Sequence, residues 1–391
     1  MQKIELKDQD LKNNQRVRWS IETGKIGPVV VLFVGIHGNE PAGTKAVDQI
    51  ADKLQADRRE AVGAVYAISG NIQALDLGVR YIDTDLNRLW EIFQNIRSEP
   101  SQDSRHNQNG RAKTVEYVES LEIKETLEKI LKKHKKSATD FVFADLHTTS
   151  SQSCAFILLN DTLSNREIAR KFPVPQILGI EENIHGTLLS YINNLGYKAI
   201  GFEAGAHEDD LSVERSKSFL WLLLHNSGVL ILNESEKEIY EESIQAHDGV
   251  PDTYYEVRYH KRVDDPGKFQ MITGFQNFDP IDKGTPLAYE FGKLIKAPEG
   301  GRIFMPLYQK VGHDGFLIVR AVSPVWLELS SYLRKSSIHN YLKYLPGVTV
   351  NNERSYIVDL QIARFLVKDI FHLFGYRVSK IDEVTLICHK R

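Results

Sequence analysis

From residue 29 to residue 34 every position is apolar and most are β-branched, a run suited to a strand buried on both faces. It ends at Gly35, and Pro41 follows where a helix would begin, ahead of the periodic stretch 46–54. His37 and Glu40 therefore fall on the loop between a strand end and a helix start. A second apolar run, 61–71, repeats the strand signal, and the segment RYIDTDLNRLW comes after a short polar connection. Residues 94–113 are polar and read as a long surface loop. An amphipathic helix is predicted over 120–136, with its Lys-rich end at the C-terminus, where cations suit the helix dipole and face solvent. The strands DFVFADLH, CAFILLN and YKAIGFEAG come next, and then a helix over 213–225 stopped near Gly228. Strands alternating with helices predict an α/β domain with a doubly wound sheet, whose ligands gather at the carboxyl ends of the strands.

After Asp248 the texture changes to short alternating runs broken by Gly and Pro, which predicts a smaller β-rich domain. Helical periodicity returns at 355–376. The expected organisation is thus a catalytic domain at 1–247, a β-rich domain at 248–325 and a helical extension at 326–391.

Composition narrows the function classes without choosing one. The chain has 391 residues, 42% hydrophobic and 26% charged, the balance of an ordinary globular protein. Its 49 Lys and Arg nearly cancel 52 Asp and Glu, so no global field favours nucleic acid or an anionic membrane. Two cysteines, Cys154 and Cys388, are too few for a disulfide framework or a thiolate zinc site. The N-terminal stretch MQKIELKDQDLKNNQRVRWS lacks the apolar run of a signal peptide, so a cytoplasmic protein is expected.

The chemistry concentrates in three places. His37 and Glu40, spaced H-x-x-E on one tight loop, can turn a ring nitrogen and a carboxylate toward one point. His147 ends another buried strand, and in a doubly wound sheet two strand ends far apart in sequence can be adjacent in space. Two His and one Glu with a fourth position left open is a common ligand set of catalytic zinc, which lowers the pKa of a bound water to about 7. The bland alternative has His37 bonded to backbone and Glu40 at a helix N-terminus, and it leaves His147 without a role. Amide hydrolysis also needs a group that moves protons. Glu203, flanked by Gly201 and Gly205 in YKAIGFEAG, should emerge at the same sheet edge, unless it is an ordinary salt-bridged surface residue. Arg80, Asn87 and Arg88 lie within nine residues, and an arginine fork can hold a carboxylate or polarise a carbonyl. Asp83 and Asp85 can orient these arginines, or simply pair with them on the surface.

Taken in order, GIHGNEPAG, RYID and DLNR within RYIDTDLNR, DLHTTS and GFEAG resemble the succinylglutamate desuccinylase/aspartoacylase family, relatives of the zinc carboxypeptidases. The resemblance spans roughly the first 210 residues and implies a zinc-carboxypeptidase-like mixed sheet with a smaller β-rich domain behind it. It implies that His37, Glu40 and His147 hold one Zn2+ per chain, that Arg80 polarises the scissile carbonyl and that Glu203 is the general base and acid. Asn87 and Arg88 would hold a substrate carboxylate, Asn71 would help line the site and Asp145 would support His147. Aspartoacylase-like members place a further arginine shortly before the general base to read a second carboxylate, and SYINNLGYKAIG contains none. The β-rich domain offers Tyr308, His313 or Asp314 to the pocket with the register open, and His185 and His207 either rim the pocket or pack elsewhere. The residues after about 325 lie outside the resemblance.

The expected activity is zinc-dependent hydrolysis of the acyl amide bond of a small N-acyl amino acid or related carboxylate-bearing compound. Neither nucleic acid nor membrane is an expected partner, and the oligomeric state is open, a homo-oligomer included. A carboxypeptidase-type exopeptidase or an esterase would use the same zinc site. The rival from another class is a non-catalytic binding protein, against which the complete set of ligands together with Glu203 argues.

Overall fold

The structure, a computed structural model, describes residues 16–56, 59–93, 114–246, 250, 253–363 and 367–391. The polar N-terminal residues 1–15, the predicted surface loop 94–113 and the expected domain boundary at 247/248 lie outside the described residues.

Seven strands precede the β-rich region, β1 (Val17–Glu22), β2 (Gly27–Val34), β3 (Ala64–Ser69), β4 (Ala138–Thr149), β5 (Phe156–Leu159), β6 (Gln176–Leu178) and β7 (Lys198–Ala206), and β8 (Tyr254–Arg262) opens it. After them come β9 (Phe269–Met271), β10 (Pro280–Ile281), β11 (Pro286–Glu290), β12 (Lys293–Lys296), β13 (Gly301–Phe304) and β14 (Asp314–Ala321). The helices of this part are α1 (Ala42–Ala56), α2 (Ile72–Leu77), α3 (Val115–His134), α4 (Leu163–Ala169), α5 (Leu188–Asn194), α6 (Asp210–Ser227) and α7 (Glu234–Ile244).

One mixed sheet of 11 strands, in the order β1-β3-β2-β4-β7-β5-β6-β8-β14-β13-β10, carries the fold. All eight residues of β2 are buried, because parallel neighbours β3 and β4 flank it and helices cover both faces. The pleat divides its side chains between two cores. Val30, Leu32 and Val34 join Val47 and Ile50 of α1 and Phe219 and Leu223 of α6, while Val29, Val31 and Phe33 join Ile123, Leu127 and Ile130 of α3 and Ile192 of α5. A continuous apolar run is what a strand covered on both faces requires. The chain passes from β2 to β3 on one side and reaches β4 on the other, so the order reverses at β2 and a crevice opens at the carboxyl ends of β2 and β4. Helix α6 stops at Gly228, which sits at φ 84° and donates to the carbonyls of Leu224 and His225.

The β-rich region is present, but its sheet is continuous with the main one. Tyr254 of β8 pairs with Gln176 of β6, and β14, β13 and β10 extend the edge from there. Strands β12, β11 and β9 form a separate three-stranded sheet.

The helical reading of the extension is corrected by the structure. Beyond α8 (Pro324–Lys335), the described residues of 355–376 hold strand β16 (Ser355–Asp359) and the short helix α9 (Val367–Leu373). With β15 (Val348–Asn352), β17 (Tyr376–Lys380) and β18 (Thr385–Lys390), β16 makes an antiparallel sheet in the order β15-β16-β18-β17. A short apolar run such as SYIVD has no length that commits it to a helix. Pairing with strands on both sides, and burial of Val358 against Phe371, Tyr376 and Leu386, decides for the strand.

Charged side chains fasten the extension to the α/β region. Asp161 is buried and accepts from Arg166 of α4, Arg334 of α8 and Arg391. Burial opposes its ionisation, yet these three guanidinium groups hold its carboxyl far below the usual carboxylate range. Arg391 also reaches Glu181 and Glu182, and Glu182 accepts from His372 as well. Removing one member of a buried ionic network strands the others. Asp161→Ala is therefore expected to lower the unfolding free energy by about 3 kcal/mol or more, read as a fall in the urea midpoint; an unchanged midpoint would show that the network contributes nothing.

Candidate active site

The loop after β2 turns tightly: Glu40 N–H donates to the His37 carbonyl at 3.2 Å, and Gly38 N–H donates to the Arg80 carbonyl at 3.2 Å. Gly38 lies against α2 so closely that a Cβ there would fall 2.1 Å from the Ala74 backbone, which explains a glycine between the histidine and the glutamate. The turn aims His37 and Glu40 into the crevice, and β4 delivers His147 from the neighbouring strand.

These three side chains converge. His37 Nδ1 lies 2.8 Å from Glu40 Oε1, and His147 Nδ1 lies 2.9 Å from Glu40 Oε2. All three are buried, and one donor atom from each lies within 4.8 Å of the others. The far ring nitrogens face carboxylates as well: His37 Nε2 is 3.1 Å from Asp85 Oδ1, and His147 Nε2 is 2.9 Å from Asp145 Oδ2. A carboxylate behind each histidine is the arrangement that fixes the ring and sharpens its donor nitrogen for a metal ion. Without a metal, protons must fill the gap. Burial disfavours charge on both partners, yet Asp145 and Glu40 raise the His147 imidazole well above its ordinary value, and the two histidines hold Glu40 well below its own. Two imidazole nitrogens and a carboxylate in one buried cluster fit a divalent cation in place of those protons.

Glu203 stands beside this cluster. It lies in β7 rather than at its end, directly in register with His147, so both side chains leave the same face of the sheet. Its Oε2 is buried with no hydrogen-bond partner among the described residues, and burial pushes its carboxyl up to about 8. A carboxyl poised there can both take and return a proton near neutral pH.

The arginine segment is organised by carboxylates. Arg80 donates to Glu40 Oε1 at 3.4 Å and to Asp85 Oδ2 at 3.1 Å. Asp85 also accepts from Asn87 N–H, starting a turn of 3-10 helix over Leu86–Arg88. Asp83 does not orient an arginine: its carboxylate accepts from Val115 N–H at the start of α3. Arg88 donates from Nη1 to the Asn87 carbonyl at 2.9 Å and from Nη2 to Asp314 Oδ2 at 2.5 Å. Asn87 Oδ1 accepts from Leu188 N–H.

Arg80, Asn87, Arg88 and Glu203 line a cleft of about 110 Å³ with the three convergent residues, and Ile180, Ile184, Leu189, Met305 and Leu307 supply apolar walls. Gly186 passes under this wall so tightly that a Cβ would fall 2.3 Å from the Arg88 carbonyl oxygen. Of the other positions the sequence offered, His207 and Asp314 line the cleft. His207 Nδ1 meets Thr148 Oγ1 at 2.7 Å, and burial holds its ring below the ordinary value. His185 instead meets Arg377, His313 meets the Val263 carbonyl, and the Tyr308 hydroxyl is bonded to the backbone of Ile272 and Phe275.

Asn71, expected to help line the site, is not among the residues that line the cleft. It is fully buried outside the cleft, where its Oδ1 caps α2 by accepting from Ala74 N–H and its Nδ2 donates to Glu116. Glu116 is the residue the sequence did not reveal. Its carboxylate accepts from Asn71 and from the backbone N–H groups of Ile82, Asp83 and Thr84, fixing the segment that carries Arg80 and Arg88. A glutamate in the first turn of a helix reads as a dipole partner, and no spacing ties it to residues 82–84.

With the geometry in place, comparison with known proteins identifies the framework. Residues 26–220 match the model of the succinylglutamate desuccinylase/aspartoacylase catalytic domain. A succinylglutamate desuccinylase from Pseudomonas syringae pv. tomato is 23% identical over 291 residues, 72% of this chain and 79% of its own length. One from Pseudoalteromonas atlantica is 33% identical over 92 residues, 24% of this chain and a quarter of that protein. Among solved structures, succinylglutamate desuccinylase from Vibrio cholerae superposes with a TM-score of 0.53 at 18% identity, covering 79% of this chain and 86% of that one, a likeness of fold. Through the domain that carries the His-Glu-His cluster, the chain belongs to the succinylglutamate desuccinylase/aspartoacylase family of hydrolases.

Proposed function

We propose that the chain is a zinc-dependent deacylase that hydrolyses the acyl amide bond of a small N-acyl amino acid. The observation that carries this reading is the convergence of His37 Nδ1 and His147 Nδ1 on the Glu40 carboxylate, beside a glutamic acid held near neutral pKa. Zinc suits two imidazoles and a carboxylate, and when bound it supplies an electrophile and activates water at neutral pH. The other roles fall to the chain's own side chains. Glu203 takes the proton of the attacking water and returns it to the nitrogen of the leaving amine. Arg80, held by Glu40 and Asp85, presents its guanidinium to the carbonyl oxygen as charge develops there. Arg88 and Asn87 hold the substrate's carboxylate, and the apolar wall of Ile180, Ile184 and Met305 keeps bulk water from the acyl group.

Four measurements test the reading. Metal analysis of the purified protein is expected to find close to one zinc per chain, and His37→Ala or His147→Ala to lose it; full activity after exhaustive chelation would remove the metal from the mechanism. Glu203→Gln is expected to lower kcat on N-acyl amino acids by about 10²–10⁴-fold with zinc content unchanged, and wild-type turnover in that variant would mean another residue moves the proton. Short peptides assayed alongside decide against an exopeptidase if they are left intact.

The fourth measurement uses the chelated protein. The Glu203 carboxyl is raised in the folded state from 4.5 to about 8, so folding favours its protonated form. That contribution is present below 4.5 and is lost as the pH rises through about 8. Between pH 5 and pH 8 the melting temperature of chelated wild type is therefore expected to fall relative to that of chelated Glu203→Gln; parallel curves would show an ordinary Glu203 carboxyl.

A further inference from the structure

The charges of the cleft are almost fully matched before any substrate arrives. Its lining contains two arginines, and each rests on carboxylates of the chain: Arg80 on Glu40 and Asp85, Arg88 on Asp314. Asp314 opens β14 and is gripped from two sides, Oδ2 by Arg88 and Oδ1 by His260 Nε2 at 2.9 Å from the neighbouring strand β8. Burial opposes its charge, but His260 and Arg88 hold its carboxyl far below the usual carboxylate range. At neutral pH this wall of the cleft therefore carries a fixed negative charge beside the guanidinium that would take a substrate carboxylate.

The consequence is a charge rule for the ligand. One carboxylate on Arg88 already shares that guanidinium with Asp314. A second carboxylate would find no further arginine or lysine among the described lining residues and would face the Asp314 oxygens. An ammonium group at the same place would be attracted by them. We propose that Asp314 is a specificity-determining residue that selects N-acyl amino acids with a cationic side chain over N-acylated aspartate or glutamate. This rests on the deacylase reading above.

The test separates binding from turnover. Zinc-loaded Glu203→Gln is titrated calorimetrically with Nα-acetylornithine, Nα-acetyllysine, N-acetylaspartate and N-acetylglutamate, and the same compounds are assayed with the wild type. The cationic compounds are expected to bind at least tenfold more tightly and to show at least tenfold higher kcat/KM. Asp314→Asn, which keeps an acceptor for Arg88 but not the charge, is expected to cut that preference at least tenfold, mainly through KM. Asp314→Glu is expected to keep the sign of the preference, which distinguishes charge from damage to the fold. Equal or tighter binding of the acidic compounds, a preference untouched in Asp314→Asn, or binding of neither class overturns the proposal. Selective binding of the cationic compounds with no hydrolysis by the wild type would instead overturn the deacylase reading and leave the selectivity of Asp314 standing.

Discussion

A carboxylate buried at the ends of two parallel strands has to be answered by charge or hydrogen bonds, and Glu40 imposes that demand on everything around it. Its oxygens take both histidines, the Thr148 N–H and the Arg80 guanidinium. Those partners arrive from the loop after β2, from β4 and from the segment after α2, three parts of the chain that meet only because the strand order reverses at β2. The sheet topology and the chemistry are thus one constraint seen from two sides.

A second ring of carboxylates holds the first in place. Asp85 ties His37 to Arg80, Asp145 backs His147, and Glu116 gathers three consecutive backbone N–H groups under the arginine segment. This segment is irregular, and an irregular backbone keeps a defined shape only when its polar groups are individually satisfied. One buried glutamate on α3 does that for a stretch with no sheet or long helix of its own. Precision at Arg80 and Arg88 therefore depends on a residue that never touches the cleft.

The sequence made legible what local pattern controls. The unbroken apolar run of β2 announced a strand covered on both faces, and H-x-x-E after it announced a loop with two convergent donors. His147 and Glu203 were readable because each ends or nearly ends another such run. What stayed hidden depends on distant partners. Asn71 looks the same whether it faces a ligand or caps a helix, and only the neighbouring Glu116 decides. The SYIVD segment becomes a strand because β15 and β18 flank it. Asp314 was one of three possibilities with Tyr308 and His313, and the pairing of β14 with β8 brings its carboxylate to Arg88.

The ties of Arg391 and His372 to Glu181 and Glu182 have a meaning for how the protein can be divided. Those glutamates sit in the turn that also places Ile180 and Ile184 on the cleft wall, and most of their compensating charge comes from beyond residue 367. The family-matched half is therefore not a detachable module. Trimming the chain to it would leave two buried acids unneutralised directly behind the apolar wall of the cleft, so the part outside the family pattern has become a co-owner of the cleft's shape.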